Sequence, residues 1–303
     1  MCYRKYSDFL KEKFGEKVYK LPIKLDLTCP NRDGTCGIGG CIFCGEEGGS
    51  FENNLGSIKE QLSKNKEIIK NKYKANKYIS YFQNFTNTYM EFERFKEVVL
   101  ESLIDDVVGV SISTRPDCLG KNHLDFLEEL AKDYFVTVEL GLQTPNYHTL
   151  DKLNRGHGLA EFIDACIKLK KRKINICTHV IIGLPWDDDR DIVECAKILN
   201  VLGVDEVKIH ALYILKNTVL GNMYLNGDIS PISLEDYKKK VILFLRHLKN
   251  DIIVERIIGR APEENSLFCN WDTSWWKIRD DIIMEMNTNG YSQGDLVKGE
   301  ILW

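Results

Sequence analysis

The 303-residue chain predicts an α/β fold of parallel β/α units, arranged as an open sheet or as a barrel. Three observations carry that prediction. Short β-branched runs alternate with longer amphipathic stretches, several runs show one apolar and one polar face, and a glycine-rich loop with four cysteines follows the first run. Strand, helix, strand at this spacing is the pattern of a parallel sheet.

Taken in order, the runs predict strands over 24–28, 78–82, 107–113, 135–142, 175–183 and 204–213. Helices are predicted between them over 57–74, 92–104, 123–132, 159–171 and 189–202. The first twenty residues alternate charges with aromatics and show no signal-peptide core. Turn residues cluster at 226–232, after which one helix (233–248), one strand (252–258) and a tryptophan-rich tail are expected. The organisation predicted is an N-terminal extension (1–23), a β/α body (24–230) and a C-terminal extension packed on it (231–303).

Period-two alternation says what the strands face. Val138, Leu140 and Leu142 share one side of their run, opposite Thr137, Glu139, Gly141 and Gln143. Cys177 and His179 oppose Ile176, Val180 and Ile182, and Lys208 and His210 oppose Val207, Ile209 and Ala211. Buried polar groups need partners. Either each satisfies its neighbour, or together they line a lumen that receives a polar ligand; the set as a whole favours the lumen.

Composition narrows the function. With 41 basic and 45 acidic residues the net charge is −4, which argues against a strongly basic nucleic-acid binder. Apolar runs such as 107–113 and 180–185 are too short to span a bilayer, so a cytoplasmic protein without membrane contact is expected. Of ten cysteines, Cys29, Cys36, Cys41 and Cys44 fall in one loop that also holds Gly34, Gly37, Gly39 and Gly40. Four thiolates suit zinc. Three suit a [4Fe–4S] cluster, with one iron left for a small chelating molecule.

The stretches CPNRDGT…GGCIFC, YFQNFTNTY, STRPDCL, VELGLQT…LNRGH, HVIIGLP and VKIHALYILKNT are collinear from residue 29 to about 218. They resemble the radical S-adenosylmethionine (radical SAM) superfamily, and within it the YhcC-like branch related to the catalytic subunit of Elongator. The resemblance implies a partial (β/α)6 TIM-like barrel with N-terminal and C-terminal extensions. It also implies a [4Fe–4S] cluster and S-adenosylmethionine, whose reductive cleavage gives a 5′-deoxyadenosyl radical. Cluster ligands carry over to Cys29, Cys41 and Cys44, with Cys36 a bystander. Phe43 and Ile181 match residues against adenine, Gln143 a ribose ligand, and Arg155 a carboxylate ligand. Asn84 and Thr86 stand where relatives hold the methionine amino group, though the usual glycines are missing. His179 stands for an acidic ribose ligand and Ser113 for a frequent glutamate. Glu139, Lys208 and His210 would face substrate. His157 either orients Arg155 or caps the next helix, and the acidic run 187–191 completes a helix N-terminus.

Basic residues cluster locally: 57–77 holds seven lysines against two glutamates, and five of the six residues 168–173 are basic. With Trp271, Trp275 and Trp276 beside Lys277 and Arg279, they offer either an RNA-docking surface or ordinary solvated helix. The resemblance favours RNA, because Elongator relatives act on the wobble uridine of tRNA. A tRNA wobble-uridine C5 side-chain modification is therefore expected, such as carboxymethylaminomethyl to aminomethyl, with a flavodoxin- or ferredoxin-type electron donor. The alternatives are radical chemistry on a small molecule or protein, and a non-catalytic zinc-binding RNA module.

Overall fold

The structure is a computed structural model that describes residues 2–46, 48, 56–259 and 265–297. In chain order its elements are α1 (Tyr6–Phe14), β1 (Val18–Ile23), α2 (Ile58–Tyr73), β2 (Lys77–Phe82), α3 (Phe92–Glu101), β3 (Val107–Thr114), α4 (Lys121–Leu130) and β4 (Phe135–Gln143). There follow α5 (Tyr147–Lys152), α6 (Leu159–Lys171), β5 (Asn175–Ile182), α7 (Asp189–Leu202), β6 (Glu206–Ala211), β7 (Ile214–Leu215) and α8 (Val219–Leu225). The chain then forms α9 (Leu234–His247), β8 (Ile253–Arg256), β9 (Ser266–Phe268) and α10 (Trp275–Thr288).

Seven parallel strands in the order β1-β2-β3-β4-β5-β6-β8 form a curled half-barrel, one strand more than the six expected. The added strand is β8, the run expected at 252–258. The first strand also differs: it is Val18–Ile23, not 24–28. The reason lies in two amide side chains that take the backbone of the later segment. Gln61 accepts from Lys24 N (2.9 Å) and donates to its carbonyl (3.0 Å); Asn84 does the same for Leu25 (3.2 and 2.7 Å). Residues 24–28 are thus the start of the cysteine loop, and both edge strands of the sheet come from segments read as extensions.

The apolar strand faces meet the helices as predicted: Val138, Leu140, Leu142, Ile176, Val180, Ile182, Val207 and Ile209 all belong to the main core. Helix boundaries follow their caps. Ser57 and Glu60 form a capping box at α2, and Asp188 with Asp191 does so at α7, which uses the acidic run as expected. α1 closes the N-terminal end of the half-barrel, packing Leu10 with Val18, Ile79 and Phe135. Among the described residues no helix is long and apolar enough to cross a membrane.

Above that plug the lumen is ionic. Glu139, with its side chain fully buried, accepts from Lys20 (2.6 Å) and Ser111 (2.5 Å) at Oε1, and from Lys208 (2.6 Å) and Tyr81 (3.1 Å) at Oε2. Ser113 (3.4 Å) and His179 (2.6 Å) also reach Oε2. Glu255 on β8 binds the same two lysines at 2.6 and 3.2 Å. Burial alone would raise the Glu139 pKa; the ammonium groups of Lys20 and Lys208 outweigh it and hold the carboxyl well below the usual range. Burial and the neighbouring Glu255 push Glu206 well above it, so Glu206 is the neutral acid of the group. Replacing Glu139 by Ala leaves two buried ammoniums against one carboxylate and is expected to cost about 3–5 kcal/mol in urea unfolding. A loss below about 1 kcal/mol would show that the strands hold their curvature without it.

Candidate active site

A cavity of about 230 Å³ opens at the C-terminal ends of the strands, where barrel folds carry their chemistry. The loop after β1 brings Cys29, Cys41 and Cys44 to its wall, while Cys36 is exposed and stands outside it. Each thiol on the wall has local support. Thr86 Oγ1 lies 3.6 Å from Cys29 Sγ. Arg155 Nη1 and Asn31 Nδ2 approach Cys41 Sγ at 3.3 and 3.6 Å. Arg32, set over the Phe85 ring, donates to the carbonyls of Cys44 (3.0 Å) and Gly45. The CxxC backbone is pinned from both sides: Ile42 N donates to Leu153 O at 3.0 Å, and Leu220 N at the start of α8 donates to Ile42 O at 2.9 Å.

The wall beside Cys41 is built at the end of β4. The register shifts between Gly141 and Gln143, and Gln143 takes φ = 70°. A Cβ at Gly141 would lie 2.8 Å from Gln143 Nε2 and 3.0 Å from Arg155 Nη2, so a side chain there would displace the ends of both from the strand end. Arg115, clamped on Asp117 at 2.9 and 2.6 Å, donates to Arg155 O at 2.8 Å. His157 Nε2 accepts from Arg155 Nη2 at 2.8 Å. Burial, then the charges of Arg155 and Arg115, bring the His157 pKa down to about 2, so its imidazole is neutral and free to accept. Of the two roles predicted for His157, the geometry supports orienting the arginine.

The opposite wall is a chain of hydrogen bonds. Arg256 Nη2 lies 2.9 Å from His210 Nδ1, His210 Nε2 lies 3.2 Å from His179 Nδ1, and His179 Nε2 lies 2.6 Å from Glu139 Oε2. Nη2 is also 3.1 Å from His210 Nε2; the shorter contact fits the rest of the chain. Arginine only donates and a carboxylate only accepts, so both imidazoles carry their proton on Nε2. Burial first, then Arg256 at His210 and Lys208 at His179, lowers both histidines and keeps them neutral.

Cys29, Cys41, Cys44, Phe43, Thr86, Ser113, Glu139, Gln143, Arg155, His179, Ile181 and His210 therefore line one cavity. Two predicted site residues do not reach it. Asn84 is fully buried and holds the Leu25 backbone. The Lys208 ammonium is taken up by Glu139 and Glu255 beneath the floor. No site role was read from the sequence for Asn31, Arg32, Arg115 or Arg256, although the first three lie inside the quoted motif stretches and a weaker resemblance continues through Arg256, which were usable signals.

A radical SAM superfamily model matches residues 32–199, more than half the chain, and a radical SAM C-terminal domain model matches 204–288. The chain belongs to the radical SAM superfamily. This radical SAM protein is 38% identical to the uncharacterized protein YtqA of Bacillus subtilis (strain 168), over 96% of its own length and 92% of the relative's. It is 32% identical to protein YhcC of Escherichia coli (strain K12), over 93% and 91%. A tRNA uridine(34) acetyltransferase of Methanocaldococcus jannaschii is 28% identical over 43% of this chain and 24% of its own. Among solved structures, Methanocaldococcus infernus Elp3 superposes with a TM-score of 0.71 at 18% identity, covering 91% of this chain and 64% of that one.

Radical SAM enzymes use a [4Fe–4S] cluster and S-adenosylmethionine, and the residues present fit both. Three thiols and no fourth line the cavity among the described residues, the donor set that leaves one iron open. Beside them lie buried polar atoms with no partner among the described residues, Asn31 Oδ1 and Arg155 Nε. Alanine at Cys29, Cys41 or Cys44 is expected to abolish iron and sulfide incorporation on anaerobic reconstitution, and Cys36→Ala to retain it. Cluster loss in Cys36→Ala with retention in Cys29→Ala would reverse the assignment. Arg155→Ala is expected to weaken S-adenosylmethionine binding roughly ten- to a hundredfold at unchanged iron content, the range for a lost charge-assisted bond. Calorimetry showing equal affinity would mean that Arg155 serves the loop alone.

Proposed function

We propose that this radical SAM enzyme modifies the C5 side chain of the wobble uridine of tRNA. The observation that carries the reading is the similarity to a tRNA uridine(34) acetyltransferase over 43% of this chain, joined to a cavity with a second polar wall facing the cofactor wall. When bound, the cluster and S-adenosylmethionine supply radical chemistry by one-electron reductive cleavage, with the electron coming from a flavodoxin- or ferredoxin-type donor. In this reading Arg155 pairs with the cofactor carboxylate, Gln143 with its ribose, and Phe43 and Ile181 pack against adenine. His179 and His210 form the side that the nucleoside meets.

Docking of the tRNA needs a surface on the cavity side, and the lysines of the C-terminal half of α2 are not there. Lys66 binds Asp106 (2.8 Å) and the carbonyl of Asp105 (3.2 Å), just before β3, and Lys74 is the left-handed C-cap of the helix. Lys170 likewise pairs with Asp205 (2.9 Å), just before β6. Lys66, Lys74 and Lys170 therefore lie toward the plugged, N-terminal end of the strands. Trp271 is internal, its Nε1 donating to Ile232 O at 2.7 Å. Trp275 and Trp276 differ. They are partly exposed at the start of α10, with Arg279 and Lys277 over their rings at 5.3 and 5.5 Å. The chain enters α10 from the β7–β9 ribbon, beyond the C-terminal end of β6. This ledge offers stacking faces for unpaired bases.

Mass analysis of tRNA nucleosides from cells with and without the protein is expected to show one wobble-uridine derivative accumulating and its product disappearing; identical profiles would reject the reading. In binding assays Trp275→Ala/Trp276→Ala is expected to weaken tRNA about tenfold or more. Lys66→Glu/Lys70→Glu/Lys74→Glu should leave affinity and salt slope within about twofold. Failure of the wild-type protein to bind any tRNA at low salt would favour a small-molecule substrate.

A further inference from the structure

Four arginines line the cavity, and three of them are engaged by the protein. Arg32 holds the cysteine loop, Arg115 is clamped on Asp117, and Arg155 lies against Cys41, Gly141 O and His157. Arg256 is different. Among the described residues no carboxylate and no backbone carbonyl pairs with it and only Nη2 is bonded, to His210, while its Nε–H, like that of Arg155, is buried without an acceptor. A guanidinium stays charged in proteins and cannot relieve an unmet donor by losing its proton.

Its position is nevertheless held. Gly259 leaves room for the guanidinium, since a Cβ there would lie 3.2 Å from Cζ. His210 is fixed in turn through His179 to Glu139. Both imidazoles are neutral, so among the described residues nothing along this wall before Glu139 offsets the charge of Arg256, and Glu139 is itself taken by Lys20 and Lys208. Arg155 stands at the end of β4 beside Cys41, whereas Arg256 stands on β8, with the histidine wall of β5 and β6 between them. Two guanidiniums so placed suit two oxyanions on two different molecules.

We infer that Arg256 is the substrate-binding cation of the cavity and pairs with an oxyanion, carboxylate or phosphate, on the nucleotide undergoing modification. The inference rests on the tRNA reading above. The carboxylate would belong to the substituent at C5, the phosphate to the nucleotide backbone. A planar fork of N–H donors pairs with either oxyanion through two parallel bonds.

The test titrates uridine, uridine 5′-monophosphate and 5-carboxymethyluridine into the full chain with reconstituted cluster and S-adenosylmethionine, as wild type, Arg256→Gln and Arg256→Lys. The expected result is that one of the two anions binds wild type at least about tenfold more tightly than uridine. That gain should vanish in Arg256→Gln and persist in part in Arg256→Lys, with S-adenosylmethionine affinity and iron content unchanged in both. The anion that shows the gain identifies its source. Equal affinities for all three probes in wild type, a gain that survives Arg256→Gln, or a fall in S-adenosylmethionine affinity would each overturn the inference. If uridine and both derivatives fail to bind while inorganic phosphate or acetate alone binds wild type and not Arg256→Gln, the cation site stands and the uridine reading falls.

Discussion

A single carboxylate, that of Glu139, is the constraint on which the half-barrel depends. It is buried on β4 and accepts from side chains of β1, β2, β3, β5 and β6, while β8 joins through Glu255 and the two shared lysines. A buried charge of this kind is costly unless fully bonded, and it can be fully bonded only when the strands curl enough to bring those groups to one point. The backbone ladders hold neighbouring strands together; the ionic centre ties strands that are not neighbours. The same group sets the floor of the cavity above it, so curvature and site geometry share one cause.

From that floor the hydrogen bonds continue upward with a fixed direction. Each histidine of the wall must accept at Nδ1 and donate at Nε2, because the ends of the chain allow nothing else. The cofactor side follows the same logic by other means. Arg155 is held by its own carbonyl through Arg115 and by a neutral His157, and Asn31 sits where Gly37 and Gly156 leave space, their would-be Cβ atoms falling 2.3 and 2.4 Å from its Oδ1. Both walls are therefore pre-organised by residues at and just behind the cavity surface.

Charge on this protein is informative only with its location attached. The richest lysine segment lies around the plugged end of the barrel, where its members pair with Asp105, Asp106 and the strand entrances. Helices of β/α units run opposite to their strands, so the C-terminal half of each helix sits at the end away from the cavity. Basic residues in last helical turns are also favoured there by the helix dipole, an ordinary cause that needs no nucleic acid.

Much of this was legible in the sequence for local reasons. Alternation with period two decided which side chains enter the lumen, and the β/α rhythm decided the parallel sheet; spacing left three or four thiols open in the cysteine loop, and the preference for Cys29, Cys41 and Cys44 over Cys36 came from the family resemblance. Alternation, rhythm and spacing need only the geometry of a strand or one loop. The tertiary structure alone decided what depends on residues far apart in the chain. Asn84 and Gln61 take the backbone of 24–25 from across the loop and so move the first strand to Val18–Ile23. Lys208 meets two carboxylates, Glu139 and Glu255, and is drawn under the floor instead of into the cavity. Arg256 becomes a cavity residue only because β8 closes onto β6, placing it beside His210. Spacing along a chain fixes which face a side chain occupies; which partner it meets there is set by segments that arrive from elsewhere in the chain.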